Sequence, residues 1–175
     1  MTPPPVPENE PQRLAAVEKA GVLDTTPDPQ LDDLVLLAST ICHTPISIIS
    51  FIGADKQFLK ARVGLNYDST SRDIAFCAHT IAQKDVLIIN DSLADERFKD
   101  HPSVVGYPNI RFYAGVPIID DNGIALGTVC VIDRVPRELT DKQKASLRIL
   151  ARHVLIHLEI RKSELRAKVD SIPHT

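Results

Sequence analysis

Apolar positions at helical spacing predict two helices in the first part of the chain. The segment PQRLAAVEKAGVLD indicates a short helix, with Pro11 suited to its first turn and Gly21 to the position just past its end. A second helix should begin with Asp28 as its N-cap and Pro29 as its first residue, and it should stop before Pro45. Its apolar residues recur every three or four positions, which predicts one buried face.

Two further helices are predicted later in the chain. The segment DIAFCAHTIAQ has helical spacing and should start with Asp73 as its N-cap. Thr140 and Gln143 form the pattern of a capping box ahead of a long helix whose apolar stripe continues to about residue 160. Beyond that point the segment RKSELRAK is charged, so this end of the helix should be solvated.

Five segments have the apolar, β-branched character of strands: PISIISFIG, QFLKARVG, DVLIIND, IRFYAGVPII and IALGTVCVID. The first two are predicted to form a hairpin, and an Asn-Gly turn joins the last two. In the last strand, Leu126, Thr128, Cys130 and Ile132 should share one face, and Gly127 indicates a bulge or a close approach of backbone. Adjacent hairpins with helices between them predict an α+β domain with an antiparallel sheet.

Length and composition indicate one soluble domain with a tail at each end. The chain has 175 residues, of which 43% are hydrophobic and 25% charged, and its net charge is -3. This charge gives no electrostatic case for a nucleic-acid partner, and the apolar runs are too short to span a membrane. We expect a flexible Pro-rich tail at 1–11, a domain at 12–160 and a helical extension and tail at 161–175. The N-terminus has no signal-peptide pattern and the chain has three cysteines without a CxxC pair, so a cytoplasmic location is expected.

Several segments together resemble a known family. LAAVEKAGVLDTTPDPQLDDLVLLASTI, FCAHTIAQKDVLIIND, IRFYAGVPI and GTVCVID follow in the order and spacing of a bacterial GAF domain, of the type found N-terminal in histidine kinases and diguanylate cyclases. The resemblance runs from Leu14 to Leu158. It implies a central antiparallel sheet of about six strands, with the N- and C-terminal helices on one face. A layer that encloses a small-molecule pocket is implied on the other face.

The resemblance places that pocket between the sheet, the helix of DIAFCAHTIAQ and the long loop SLADERFKDHPSVVGYPN. The two arginines could clamp an anionic ligand, but each could equally tie the loop to a carboxylate or a helix end. The aromatic side chains are more often core than pocket lining. The candidate ligand-binding residues are Phe76, His79, Asp91, Arg97, Phe98, Arg111 and Tyr113.

Cys77 and His79 resemble a reactive pair, but two residues on a helix at this spacing point about 200° apart. We therefore expect Cys77 to be a buried apolar residue, and His79 to face the pocket, the loop or solvent.

One branch of GAF domains reduces free methionine sulfoxide with several cysteines. Neither the loop before Cys77 nor the long loop contains another cysteine, so a lone thiol is expected, unable to form a disulfide within the domain. Bilin, haem and cyclic-nucleotide patterns find no good match, and no cofactor or metal is expected.

The expected function is that of a non-enzymatic sensory or regulatory GAF module in signal transduction. It would bind an unidentified small molecule, form a homodimer through its terminal helices and pass a signal to an output protein. A short coiled-coil seam is predicted from four residues spaced by sevens: Ala151, Leu158, Leu165 and Ile172. The alternative interpretation is that this helix packs only on the sheet of its own domain. Two alternatives remain open: a GAF-type free methionine sulfoxide reductase, and a structural dimerisation module with a filled pocket.

Overall fold

The computed structural model describes residues 1–171 and has six strands and five α-helices in that range. The helices are α1 (Glu10–Ala20), α2 (Pro29–Cys42), α3 (Phe76–Thr80), α4 (Pro102–Val105) and α5 (Asp141–Asp170). The strands are β1 (Ile46–Ile52), β2 (Lys56–Val63), β3 (Ser69–Ser71), β4 (Leu87–Ile89), β5 (Phe112–Ile119) and β6 (Ala125–Asp133). A 3₁₀ turn at Arg72–Ile74 precedes α3.

Most of the predicted helix ends are confirmed. Asp28 caps α2 by accepting hydrogen bonds from the backbone amides of Gln30 and Leu31, and the Thr140–Gln143 capping box opens α5. The predicted N-cap at Asp73 is wrong, because Asp73 lies in the 3₁₀ turn and α3 begins after Ala75 without a side-chain cap.

Helix α1 begins earlier than the sequence pattern suggests. Its first residue is Glu10, which lies inside the predicted tail of residues 1–11. The Glu10 carboxylate pairs with Arg13 and with Arg72, and the fully buried Arg13 donates to the Ile52 carbonyl oxygen at 2.8 Å. These bonds hold α1 against the β1–β2 hairpin, and the predicted boundary between tail and domain stays a prediction.

All six strands form one antiparallel sheet in the order β3-β2-β1-β6-β5-β4. This confirms the α+β class and the sheet of about six strands. The sixth strand, β3, lies in the segment predicted as a loop, LNYDSTSR. It has three polar residues at the edge of the sheet, none of them fully buried, so it carries no apolar alternation for sequence reasoning to detect.

The sheet separates two apolar clusters. One lies between the sheet and the layer formed by α1, α2 and α5, and the other lies under α3, α4 and the loops around them. Cys130 and Ile132 of β6 face the second cluster as predicted. The prediction for Leu126 is wrong, since its side chain packs in the first cluster. Close backbone contact at Gly127 is confirmed, because a Cβ there would overlap the carbonyl oxygen of Ser50 on β1.

Helix α5 packs on its own sheet for about half of its length. Its buried residues are Leu147, Leu150, Ala151, Val154 and Leu158. Ala151 and Leu158 are therefore core residues here, Leu165 is exposed, and Ile172 lies outside the described residues, so the predicted seam is not a free surface. After Leu158 the helix continues to Asp170 with exposed or half-exposed side chains. Within residues 1–171, no helix combines the length and the apolar character needed to cross a membrane.

Candidate functional site

Helix α3 is only five residues long and is buried on every side. Its Cys77 side chain points into the cluster against the sheet, where it is 2% exposed, which confirms the buried position predicted for it. His79 packs instead against Phe98 of the long loop, with ring centroids 4.7 Å apart. The two side chains therefore lie in different environments and form no nucleophile–base pair.

An aromatic stack fastens the long loop to α3. Phe76 lies nearly parallel to Phe98 at a centroid distance of 4.5 Å and also contacts the rings of His101, at 4.6 Å, and Tyr113, at 5.2 Å. Phe98 and Tyr113 are fully buried, as expected for core aromatics. His101 also caps α4, because its Nδ1 accepts a hydrogen bond from the Ser103 amide. The loop is thus packed on the domain by large side chains rather than lying open over it.

This packing leaves little free space at the position where the ligand pocket is expected. A cavity of about 30 Å³ remains between the sheet, α3 and the end of the long loop. Pockets for drug-sized ligands have volumes of about 300–1,000 Å³, whereas the share of one molecule in liquid water is about 30 Å³. Of the seven candidate ligand-binding residues, only Phe76 and Tyr113 line the cavity.

The three charged candidates are engaged within the loop itself. Arg97 forms a paired contact with Asp95, at 2.9 and 2.7 Å, and its guanidinium lies 5.2 Å from the centre of the Phe98 ring. Arg111 donates to the carbonyl oxygens of Val104 and Ile110. Asp91 accepts a hydrogen bond from the amide two residues on. The structure therefore brings none of the three to the cavity, and a ligand-binding role for the seven residues stays a prediction.

A group of buried sulfur and hydroxyl side chains lies behind α3. Cys77 Sγ is 3.7 Å from Cys130 Sγ on β6, so the prediction of a lone thiol is wrong. The Tyr113 hydroxyl donates to Cys77 Sγ at 3.5 Å and lies 2.6 Å from Thr80 Oγ1. We call this group the thiol–hydroxyl cluster. Its members are Cys77, Cys130, Tyr113, Thr80, Ser50 and Thr128.

Neighbouring strands create the room that this cluster occupies. Ser50 on β1 pairs directly with Thr128 on β6, and their hydroxyl oxygens are 3.2 Å apart. Gly115 on β5 pairs with Cys130, and a Cβ at Gly115 would overlap the Tyr113 hydroxyl. The absence of a side chain at this one position lets the phenol reach the two sulfurs.

The electrostatics of the cluster make its two thiols unequal. Burial raises the pKa of Cys77, but hydrogen bonds from Cys130 and from the Ser50, Thr128 and Tyr113 hydroxyls outweigh burial, so its pKa lies below the ordinary value. Burial and the neighbouring Cys77 hold the pKa of Cys130 well above the ordinary value.

Part of the thiol–hydroxyl cluster could have been predicted from the sequence. Ser50, Thr128 and Cys130 occupy alternate positions of buried strands, and small polar residues on an otherwise apolar face indicate a polar contact inside the core. The contact between Cys77 and Cys130 could not be predicted from the sequence, because it depends on how α3 packs across the sheet. Within residues 1–171, no group of three or more His, Cys, Asp or Glu side chains is arranged to hold a metal ion.

The six-stranded sheet between two layers, with a short buried helix and a long loop over one face, defines a small α+β domain. The GAF domain family model matches residues 17–158, and the chain belongs to the GAF domain family. The chain is similar to the cyclic di-GMP phosphodiesterase PA2567 of Pseudomonas aeruginosa, with 38% identity over 164 residues. That match covers 93% of this chain and 28% of the relative, so the chain spans just over a quarter of that protein's length.

Solved structures share the fold at low sequence identity. The GAF domain of an Acinetobacter phosphoenolpyruvate-protein phosphotransferase aligns with a TM-score of 0.65 and 13% identity, over 89% of this chain and 98% of that one. A free methionine-R-sulfoxide reductase of Neisseria meningitidis aligns with a TM-score of 0.64 and 15% identity, over 88% of each chain. At this level of identity the likeness extends to the fold alone.

Proposed function

We propose that this chain is a regulatory GAF module without catalytic activity of its own, which serves a signalling protein by self-association through α5. The observation that carries the proposal is an apolar stripe on the solvent side of α5. Ile149, Ile156 and Ile160 are 44–54% exposed there, although a solvent face of a helix normally carries polar residues. We call these three residues the α5 outer stripe.

The spacing of the outer stripe fits a second copy of the same helix. With the exposed His153, its positions follow steps of four, three and four, which is the repeat of a helix–helix seam. A stripe that meets its own copy forms a two-fold interface, the commonest arrangement of soluble dimers. Helix α5 has 30 residues and is therefore about 45 Å long, so a parallel or antiparallel partner would have a long contact surface.

The filled interior supports a module without a resident ligand. A cavity of about 30 Å³ has room for about one or two water molecules. A free amino acid sulfoxide is far larger, so the cavity gives no support to the methionine sulfoxide reductase alternative. The expected small-molecule ligand would need the aromatic stack of Phe76 and Phe98 to open.

The similarity to a cyclic di-GMP phosphodiesterase supports a signalling setting. The chain corresponds to about a quarter of that relative, so we propose that it supplies regulation and that an output segment elsewhere supplies chemistry.

Native mass spectrometry of the freshly purified chain tests the proposal. We expect a dimer whose mass is twice that of the polypeptide, with no added small molecule. A stoichiometric extra mass would contradict the absence of a resident ligand, and a monomer at every concentration would contradict self-association.

A further inference from the structure

The buried thiols have a geometry that the proposed regulatory function does not use. Cys77 and Cys130 come from α3 and from the central strand β6, and their sulfur atoms are in van der Waals contact at 3.7 Å. Their positions are 53 residues apart in the sequence. A disulfide requires a sulfur separation of about 2.0 Å, so the two sulfurs would have to approach by less than about 2 Å. Helix α3 is one short turn between a 3₁₀ turn and a loop.

The small cavity adjoins only one of the two cysteines. Cys77 lines the cavity, whereas Cys130 lies behind it and is fully buried. Tyr67, Thr70 and Ser103 line the cavity as well, and all three are partly exposed, so the cavity lies close to the protein surface. Hydrogen peroxide is only moderately larger than a water molecule, so a cavity of about 30 Å³ is of the right order of size for it.

The geometry points to Cys77 and Cys130 as a peroxide-sensitive thiol pair, in which Cys77 is oxidised through the cavity and Cys130 closes an internal disulfide that ties α3 to β6. This modification site is independent of the proposed self-association through α5, because the two lie on opposite faces of the sheet.

The reaction balances with hydrogen peroxide as the oxidant. The Cys77 sulfur attacks one peroxide oxygen, the O–O bond breaks, and the products are a sulfenic acid on Cys77 and one water. The Cys130 sulfur then attacks the Cys77 sulfur, the S–O bond breaks, and a second water leaves with the formation of the S–S bond. Two thiols lose two electrons and two protons, and the peroxide becomes two waters. The hydroxyls of Tyr113, Ser50 and Thr128 favour the attacking form of Cys77, since they stabilise its negative charge.

The third cysteine is an internal control. Cys42 is buried in the cluster on the other face of the sheet and does not line this cavity. Burial raises its pKa to about 11, which keeps it in the unreactive protonated form. Oxidation by way of the cavity should therefore spare Cys42, whereas oxidation of unfolded chains should modify all three thiols.

The test exposes the reduced, folded chain to hydrogen peroxide, removes the peroxide, unfolds the chain to alkylate the remaining thiols and maps peptides by mass spectrometry. We expect a Cys77–Cys130 cross-linked peptide, reversal by dithiothreitol, and Cys42 recovered in its alkylated form. With tert-butyl hydroperoxide, which is too large for the cavity, the rate relative to a free thiol should fall by at least about tenfold. In a Cys130→Ala variant that is first exposed to hydrogen peroxide and then unfolded in the presence of dimedone, dimedone should label Cys77.

Two results would overturn the inference: no cross-link at peroxide levels that oxidise a free thiol, or oxidation of Cys42 as fast as Cys77. Because the wild-type mapping decides between these outcomes without any substitution, a Cys130→Ala variant that fails to fold does not affect the test.

Discussion

His79 should make the stability of this domain fall as the pH falls from 7.5 to 5. The residue is 6% exposed and its ring packs on Phe98, so burial is the largest cause that lowers its pKa, to about 4. The positive charge of Arg97 and the neighbouring His101 lower it further. An unfolded chain protonates this histidine near pH 6.5, whereas the folded chain resists protonation until about pH 4. Below pH 6.5 the unfolded state therefore binds more protons, and acid favours unfolding.

The size of the effect follows from that difference in pKa. At pH 5 the unfolded state gains about 2 kcal/mol relative to pH 7.5, and the full difference at still lower pH is about 3 kcal/mol. The pKa of Glu10 is also lowered, to about 2, by Arg13 and Arg72 against the opposing effect of burial, but its stabilising contribution is lost only at more acid pH. The interval between pH 7.5 and pH 5 therefore reports on histidines.

Urea unfolding of the wild type and of His79→Gln at a series of pH values measures the effect. The variant has no titrating ring at this position, so about 2 kcal/mol of the pH dependence between pH 7.5 and 5 should disappear. A matched control, His153→Gln, removes an exposed histidine on α5 and should keep the wild-type slope. If His79→Gln retains the full slope, the ring is not held neutral by burial against Phe98 and the reasoning is refuted.

Substitutions at Asp28 and Gly127, each with a matched control, test how α2 is held to α5 and how closely β6 approaches β1. Asp28→Ala removes the α2 cap and the contacts to His157, at 2.8 Å, and to Arg161, so chemical denaturation should show an unfolding free energy lower by about 2 kcal/mol. The control Asp28→Asn keeps a capping oxygen and should lose about half as much. Equal losses for the two variants would contradict a separate contribution from the cap. Gly127→Ala should lower the unfolding free energy by about 2–3 kcal/mol, because its Cβ would overlap the β1 backbone. The control Gly53→Ala, whose Cβ would make ordinary contacts of 3.4 Å or more, should change the unfolding free energy little. Similar values for both variants would contradict the close approach of β6 to β1 at Gly127.

The sequence was sufficient for the elements that carry strong local signals. Helix α2 is recognisable from Asp28 and Pro29, α5 from its capping box, and the central strands from continuous apolar runs. Strand β3 was missed because it is short, polar and held only by its pairing with β2. The N-cap at Asp73 was wrong because the packing of the aromatic ring at Phe76 sets where α3 begins, and local propensity at this end is weak.

The position of the candidate site could be predicted from the sequence, but whether it encloses an open pocket could not. The resemblance indicated the layer formed by α3 and the long loop, and that layer is present. Whether it encloses a pocket depends on contacts between residues far apart in sequence, such as the stacking of Phe76 on Phe98 and the approach of Cys77 to Cys130. Local patterns report which residues are apolar and do not report how completely their side chains fill the space between two layers.

Light scattering coupled to size exclusion, over a range of protein concentrations, tests the central claim of self-association through the α5 outer stripe. We expect the wild type to be a dimer and Ile156→Glu to be a monomer, because a seam cannot bury an unpaired carboxylate without a large cost. The matched control is Val105→Glu, which places the same charge at an exposed apolar residue of α4 on the other face and should remain a dimer. A wild type that stays monomeric at the highest concentration, or an Ile156→Glu variant that dimerises as well as the wild type, would contradict the account.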